Sequence, residues 1–187
     1  INNVAIAEVM HTALAYFEAG RAEEGYRLLM GNVLDNMYYG QCPGNFGQIS
    51  CFDAARGECY RDFGDCIGIS SRTLLQGLFG IVPQALDGFC LLRPGFPQSW
   101  DSARVATPYL EYRFTRRNGI DRYEVTQHFR QPLRIVLRQN LGQGRYRDIE
   151  GTAEEHQVIE VPTPNNIEPT VNPEPAVASA HPGLAEP

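Results

Sequence analysis

The sequence contains no lysine: all 16 of its basic residues are arginines. It also contains no long apolar run, because none approaches the ~18 consecutive apolar residues that a helix needs to cross a bilayer. We therefore expect no membrane span. With 43% hydrophobic and 20% charged residues among its 187, the chain can bury a core, which excludes a protein that is disordered throughout.

No leader peptide is recognisable in the sequence. The first residue is Ile1, and there is no initiator methionine, basic start or signal-like apolar stretch. We expect that a leader has been removed or that the chain begins inside a longer one. The absence of a leader here therefore does not exclude export.

The usual metal and nucleotide motifs are missing as well. The sequence has no CxxC pair, no GxSxG, no Walker motif and no GxGxxG that opens a helix after a strand. None of its histidines lies in the 25-residue segment that holds four of the five cysteines, so the ligand spacing of a zinc site is missing. We expect no metal and no cofactor. One or two disulfides and plain buried thiols both remain open for Cys42, Cys51, Cys59, Cys66 and Cys90.

Charge is unevenly distributed along the chain. Residues 88–149 carry eleven arginines and five acids, whereas residues 150–187 carry seven acids and no arginine. A basic segment can indicate a nucleic-acid interface. However, most of these arginines alternate with apolar residues, which is typical of the solvated face of a sheet. We therefore expect no nucleic-acid partner.

Apolar residues at helical spacing predict three helices, over residues 3–19, 22–38 and 69–80. Gly20 and Arg21 make a short turn between the first two, which predicts an αα-hairpin. Residues 39–67 are rich in glycine and show no sustained periodicity. Such a long irregular segment is usually functional or held in place by neighbouring structure.

From residue 88 the period of the apolar residues changes to two, which predicts strands. Asn118-Gly119 is a strong signal for a two-residue hairpin turn, and the returning strand places Tyr123, Val125, Gln127 and Phe129 on one face. The strands form an antiparallel meander, as part of a sandwich. They are predicted at 88–97, 109–116, 123–129 and 132–139, and more weakly at 145–150 and 156–161.

These patterns divide the chain into three parts and predict an α+β fold. Residues 1–86 are helical, residues 87–162 form an antiparallel β-domain, and residues 163–187 are a proline-rich tail or linker. The apolar faces of three helices and a loop do not close a core comfortably. We therefore expect partner helices that this chain does not supply.

Two segments carry a resemblance to a known group of proteins. AYFEAGRAEEGYRLLMGNVLDNMYYGQCPGNF (15–46) resembles a late hairpin of a helical toroid with its exit loop. SSRTLLQGLFGIVPQALDGFCLLRPGFPQSWDSARV (70–105) resembles the final toroid helix, the exit and the first β-domain strand, with RPGFPQSW (93–100) at the junction. The order of these elements resembles six-hairpin glycosidases, which include α-L-rhamnosidases and inverting disaccharide phosphorylases, and especially an uncharacterised bacterial glycosidase-like family. The resemblance covers about residues 3–160.

The resemblance implies the last helices of an (α/α)6 toroid followed by a small antiparallel β-sandwich-like domain. Such a toroid needs about twelve helices, so most of it must lie upstream of Ile1 or in another chain. The implied protein acts on polysaccharide or oligosaccharide, in the periplasm or outside the cell. Trp100 at the junction is expected to be a structural wedge between the domains.

Glycoside hydrolysis uses a pair of carboxyl groups, and the resemblance places the main general acid upstream of this chain. Among the acids of the loop before the last helix, we name Asp62 and Asp65 as catalytic candidates. The aromatic residues of the loop suggest stacking on sugar rings, and an arginine there can bind a hydroxyl. The substrate-binding candidates are Tyr39, Phe46, Tyr60 and Arg61. The alternative for all six is ordinary: solvated acids, ion pairs, and aromatic rings that pack the loop onto the toroid.

Three functions follow as hypotheses. The chain is the carboxy-terminal portion of a glycoside hydrolase, or a non-catalytic carbohydrate-binding or structural module derived from that fold, or a protein-interaction domain. An inward-facing acid on further helices upstream of Ile1 favours the enzyme; the absence of such helices favours the other two.

Overall fold

A computed structural model describes residues 3–34, 51–53, 58–60 and 65–164, and the side chains of residues 6–34, 67–84 and 86–164. Over these residues the fold is mixed α+β, as predicted. The helices are α1 (Ile6–Glu18), α2 (Ala22–Val33) and α3 (Asp65–Arg72), which continues into a π-helical turn over Thr73–Leu78. The strands are β1 (Asn3–Ala5), β2 (Cys51–Asp53), β3 (Glu58–Tyr60), β4 (Ile81–Gln84), β5 (Phe89–Leu92), β6 (Ser102–Ala106), β7 (Leu110–Arg117), β8 (Ile120–Gln127), β9 (Leu133–Gly142), β10 (Arg145–Ala153) and β11 (His156–Pro162).

The three predicted helices are confirmed, with different ends. α1 begins at Ile6 rather than residue 3, because β1 instead pairs with β2 in a three-stranded sheet with order β1-β2-β3. α2 begins at Ala22, and its first turn contains Glu23 and Glu24, where acids suit the positive end of the helix dipole. Residues 35–38, the predicted end of this helix, lie outside the described ranges. None of the described helices is long and apolar enough to cross a membrane.

The β-domain consists of two four-stranded sheets, with strand orders β10-β9-β5-β4 and β11-β8-β7-β6. The predicted meander is wrong, because the chain leaves the second sheet after β8. β9 pairs with β10 on one side and, in parallel, with β5 on the other. β11 then returns to the free edge of β8. Two short strands, β4 and β6, were not predicted from the sequence.

The turn between β7 and β8 is the hairpin that the sequence predicts. Asn118 has φ 52° and Gly119 has φ 74°, the pair of positive values that a type I′ turn requires. Along both strands, buried and exposed residues alternate. Tyr112 and Phe114 of β7, and Val125 of β8, are fully buried. The two-residue period therefore correctly identified the inner face of this hairpin.

The helices and both sheets contribute to a single cluster of buried side chains. Met10 and Phe17 of α1 belong to it, together with Leu137 of the first sheet and Tyr112 of the second. Each large apolar side chain buried in this way contributes about 1.5–3 kcal/mol. The helical part and the β-domain are therefore stabilised together.

Phe17 sits in a socket made by three glycines from separate segments. A Cβ atom at Gly25 of α2 would lie 3.0 Å from the Phe17 ring, one at Gly77 of the π-helical turn 2.6 Å, and one at Gly95 of the junction 2.5 Å. A backbone hydrogen bond also joins two of these segments, because the Gly95 N–H donates to the carbonyl of Leu78 at 3.0 Å. Only residues without a side chain allow these segments to approach the ring so closely.

A row of aromatic rings connects the segment after Gly95 to the second sheet and to α2. Phe96 stacks on Phe114 with ring centroids 4.8 Å apart and on Trp100 at 5.9 Å. Trp100 in turn meets the edge of Tyr26 on α2 at 5.2 Å. Trp100 therefore contacts α2 directly and reaches β7 through Phe96, and its role as a wedge between two domains stays a prediction.

One ion pair lies inside the β-domain. Asp121 is 1% exposed and accepts two hydrogen bonds from the Arg116 guanidinium, at 2.8 and 2.9 Å. The hydroxyl of Thr163 donates to the same carboxylate at 2.6 Å. These bonds satisfy a charge that would otherwise be costly to bury, and they attach the chain beyond β11 to the start of β8.

The exposed arginines form ion pairs across the strands. Arg138 on β9 pairs with Asp148 on β10 at 2.6 Å, and its hydrogen bonds to that carboxylate lower the pKa of Asp148. Arg122 bridges to Glu160 on β11 at 2.6 Å. At the surface such pairs contribute little individually, with a median of about 0–1 kcal/mol.

The glycine socket makes a testable prediction. Gly77→Ala forces a methyl group against the enclosed Phe17 ring, and we expect a loss of about 1–3 kcal/mol in the free energy of unfolding, as is usual for overpacked cores. Gly31→Ala on the exposed side of α2, where a Cβ meets nothing within 4 Å, is the matched control. It should stabilise the helix by about 0.5–1 kcal/mol. Equilibrium urea unfolding of both variants measures the difference, and equal effects would contradict the socket.

Candidate functional site

The side chains of the six residues named from the sequence are not described by the structure. Tyr39, Phe46, Arg61 and Asp62 lie outside the described ranges. Tyr60 and Asp65 are described by their backbone alone. Tyr60 is the last residue of β3 and pairs with Cys51 of β2, which pairs with Ala5 directly before α1. Asp65 is the first residue of α3. The catalytic and substrate-binding roles of all six therefore stay predictions.

A groove of about 680 Å³ opens between the π-helical turn, strands β4 and β5, and the loops at one end of β7, β8 and β9. We call it the aromatic groove. Its walls are mainly apolar, and its polar residues are Gln76, Thr107, Arg130 and Gln131. The apolar residues that line it include Leu75, Ile81, Phe89, Tyr109, Phe129 and Leu133. A concave, mostly apolar surface with a few polar groups is the usual form of a ligand site.

Two aromatic side chains in this groove are exposed. Tyr109 is 63% and Phe129 48% exposed, although both are large enough to contribute strongly to a core. Their ring centroids lie 5.7 Å apart and their planes differ by 9°. The two rings are therefore nearly parallel and accessible to a ligand.

Hydrogen bonds of the loop backbone hold Tyr109 in place. The Thr107 hydroxyl oxygen accepts from the N–H groups of Tyr109 at 3.3 Å and Leu110 at 3.0 Å, the pattern of a side chain that fixes a turn. The His128 N–H donates to the carbonyl of Tyr109 at 2.9 Å. This last bond ties the loop before β7 to the loop after β8.

A buried glutamine holds Phe129 in place. Gln127 is 4% exposed, and its side-chain oxygen accepts from the Phe129 N–H at 2.6 Å. Its side-chain amide donates to the carbonyls of Ala153 and Glu154, in the turn between β10 and β11. Gln127 thus joins two loops, and both of its side-chain polar atoms are satisfied, as buried polar groups require.

The prediction that Phe129 shares the inner face of β8 is wrong. The strand ends at Gln127, and the chain turns so that Phe129 is exposed instead of following Val125 into the core. The signal that could have revealed this is Gln127 itself, because a polar residue on an apolar face needs hydrogen-bond partners. Unpaired backbone groups of a loop are the simplest source of such partners, so Gln127 indicates that the strand ends there.

The described residues that line the groove supply apolar surface and hydrogen-bonding groups. None of these residues is Asp or Glu, so they do not themselves supply the carboxyl pair of glycoside hydrolysis. Burial raises the pKa of the Cys90 thiol, which also lines the groove, to about 11. Cys90 is a free thiol, and this pKa keeps it protonated at neutral pH and poorly nucleophilic. Among the residues whose side chains are described, no three His, Cys, Asp or Glu residues come together as metal ligands would.

Comparison with known proteins assigns no family. The sequence matches no protein-family model and no curated protein.

The role of Gln127 can be tested with Gln127→Met, which keeps the side-chain length and removes its hydrogen bonds. We expect a loss of about 3 kcal/mol in the free energy of unfolding, from about 1 kcal/mol for each of the three bonds lost. The amide protons of Phe129 and His128 should also exchange faster with solvent, because the two loops separate. Urea unfolding and hydrogen-exchange NMR measure these effects, and unchanged exchange at Phe129 would contradict the role of Gln127 in holding this loop.

Proposed function

We propose that this chain is the carboxy-terminal part of a carbohydrate-active protein and that its β-domain binds a saccharide in the aromatic groove. The observation that carries the proposal is the exposed, nearly parallel pair of Tyr109 and Phe129. Sugar rings present C–H groups on their faces, and these pack on exposed aromatic rings. Because hydrogen bonds already fix both loops, little conformational entropy is lost when a ligand binds.

Polar groups along the groove suit the hydroxyl groups of a saccharide. The Gln131 amide can donate and accept a hydrogen bond and the Arg130 guanidinium donates, whereas the Thr107 hydroxyl already donates to the Leu110 carbonyl at 3.0 Å. All three residues line the groove together with the two rings. A ligand with one apolar and one polar side is therefore better matched than a purely apolar one.

In this proposal the described helices belong to the end of a larger toroid, whose other helices precede them or come from another chain. The support is the apolar surface that the helical segments leave exposed, at Leu34, Ile67 and Leu74, which further helices would cover. The whole protein would then be a glycoside hydrolase that acts in the periplasm or outside the cell. Its β-domain would hold substrate, and hydrolysis would depend on acids outside the groove.

A protein-interaction role is the second candidate, and one observation favours it. Leu86 lies in the turn between β4 and β5 and is fully exposed, and β4 is at the edge of its sheet among the described strands. An exposed apolar side chain beside an unpaired strand edge suits the addition of a peptide strand. Saccharide binding and peptide binding are distinguished by the ligand that Tyr109 and Phe129 recognise.

The groove is tested by a glycan array with the intact chain, followed by calorimetry with the oligosaccharide that binds best. We expect Tyr109→Ala and Phe129→Ala each to weaken binding about tenfold, which corresponds to ~1.4 kcal/mol and to the loss of one aromatic contact. Tyr146→Ala on β10 is the matched control, since Tyr146 is 39% exposed and lies outside the groove. The Tyr146→Ala variant should bind the oligosaccharide with the same affinity as the unsubstituted chain.

Two results would contradict this proposal. The intact chain binds no glycan, or the variants at Tyr109 and Phe129 bind as well as Tyr146→Ala. Loss of binding to a peptide partner in the same two variants would instead support the interaction role.

The catalytic assignment is tested in a protein that includes the preceding helices. If Asp62 or Asp65 acts as an acid or base, then Asp62→Asn or Asp65→Asn should lower kcat by about 10²–10⁴-fold, as is typical for such groups. Asp87→Asn, in the turn between β4 and β5, is the control and should leave kcat unchanged. Full activity in both variants would show that hydrolysis depends on other acids.

A further inference from the structure

The described residues that line the aromatic groove include one charged side chain, Arg130. None of these residues is an acid, and the thiol of Cys90 is neutral because burial raises its pKa to about 11. The described lining therefore has a single positive charge, although the whole chain has a net charge of −6. This contrast bears on the class of saccharide that the groove would take.

Arg130 has no acidic partner among the residues whose side chains are described. Several arginines on the strands have an acid on the neighbouring strand: Arg104 binds Glu111 at 2.7 Å, and Arg134 binds Glu150 at 3.1 Å. Arg130 instead lies in the loop between β8 and β9, beyond the ends of both strands. Cross-strand pairing, which brings such acids and arginines together, does not extend to this position.

The acids in the segments next to the groove do not line it. Asp87 lies in the turn between β4 and β5, and Glu154 and Glu155 lie in the turn between β10 and β11. All three are exposed, none of them lines the groove, and none forms an ion pair with Arg130. The guanidinium of this arginine is therefore available to a ligand.

Arg130 also lies next to the aromatic pair. It directly follows Phe129, whose N–H is held by Gln127, and Pro132 restricts the backbone two residues later. Both Phe129 and Arg130 line the same cavity, so a sugar ring packed on the aromatic pair lies close to a charged donor. The planar guanidinium can bind a carboxylate or a sulfate through two parallel hydrogen bonds. A ligand that covers the apolar walls also excludes water, which strengthens such a pair relative to one at the open surface.

We propose that the aromatic groove takes an acidic saccharide, in which one sugar ring packs on Tyr109 and Phe129 and its anionic group, a carboxylate or a sulfate ester, binds Arg130. A single arginine matches a single anionic group. A saccharide with one charged unit is therefore favoured over one that is charged on every ring, whose further charges would lie against apolar walls. This proposal rests on the proposed function, because it names the class of saccharide for the same groove.

The test uses saccharides that differ only in charge, with binding to the full chain measured by calorimetry. The probes are oligosaccharides with one uronate unit, the same oligosaccharides with that carboxyl group reduced to a primary alcohol, and the reduced forms with a sulfate ester on this alcohol. We expect the anionic forms to bind about tenfold more tightly than the neutral form, which is the difference between a hydrogen bond to a charged group and one to a neutral group. Comparison of the uronate with the sulfate ester identifies the anion that fits better. The preference should narrow in about 1 M salt, where the screening length is about 3 Å instead of about 10 Å at 0.1 M.

Substitutions of the arginine test its role directly. Arg130→Gln should abolish the preference for the anionic forms and weaken binding of the neutral form much less. Arg130→Glu should reverse the preference, so that the neutral form binds more tightly. Arg117→Gln is the matched control and should keep the tenfold preference, because Arg117 lies at the end of β7 far from Tyr109 and outside the groove. Both arginines are exposed, so these substitutions should not prevent folding.

The two proposals fail in distinguishable ways. The choice of an acidic saccharide is overturned if saccharides bind through Tyr109 and Phe129 but the anionic and neutral forms bind equally, or if Arg130→Gln keeps the preference. The groove itself fails if none of the forms binds, or if Tyr109→Ala and Phe129→Ala leave binding unchanged. Either of these last results overturns both proposals.

Discussion

The packing of one ring, Phe17, against three glycines fixes the rest of this structure. Because Gly25, Gly77 and Gly95 carry no side chain, a helix, a π-helical turn and the junction all reach the same buried ring. The position of Gly95 then determines where Phe96 stacks on Phe114, and through it how the helices meet the second sheet. Interiors packed to this density transmit small displacements, so the helical part and the β-domain keep one relative arrangement.

A smaller pocket of about 240 Å³, the junction pocket between the α1–α2 turn and residues 94–98, lies at the opposite end of the same three strands from the aromatic groove. β7 and β9 begin at the aromatic groove and end at the junction pocket, and β8 runs the other way. Strands of this length separate the groove from the pocket by roughly 20 Å. Each end also contains one buried glutamine, Gln127 or Gln139. The side-chain groups of Gln127 are all hydrogen-bonded within the protein, whereas the buried oxygen of Gln139 has no partner among the described residues.

Local patterns in the sequence were enough to predict the helices and most of the strands, but not which strands pair with one another. The alternation of Tyr112, Phe114 and Val125 and the Asn118-Gly119 turn predicted the hairpin, because each depends on neighbouring residues alone. The parallel pairing of β5 with β9 joins segments about 45 residues apart, and a two-residue period carries no information about which strand lies alongside. The groove escaped prediction for the same reason, since Tyr109 and Phe129 meet only after β7 and β8 have paired. The six residues named from the sequence came from motif and composition, and the described side chains include none of them.

The end of the β-domain has a mechanical consequence. β11 is antiparallel to β8 over seven residue pairs, and directly after it the Thr163 N–H donates to Gly119 while its hydroxyl donates to Asp121. A pull on the chain beyond Pro164 therefore acts along β11, at right angles to its hydrogen bonds. All of these bonds are loaded together in shear, rather than opened one by one. A tether attached through this end of the chain is thus held in the direction in which the hydrogen bonds of β11 resist together.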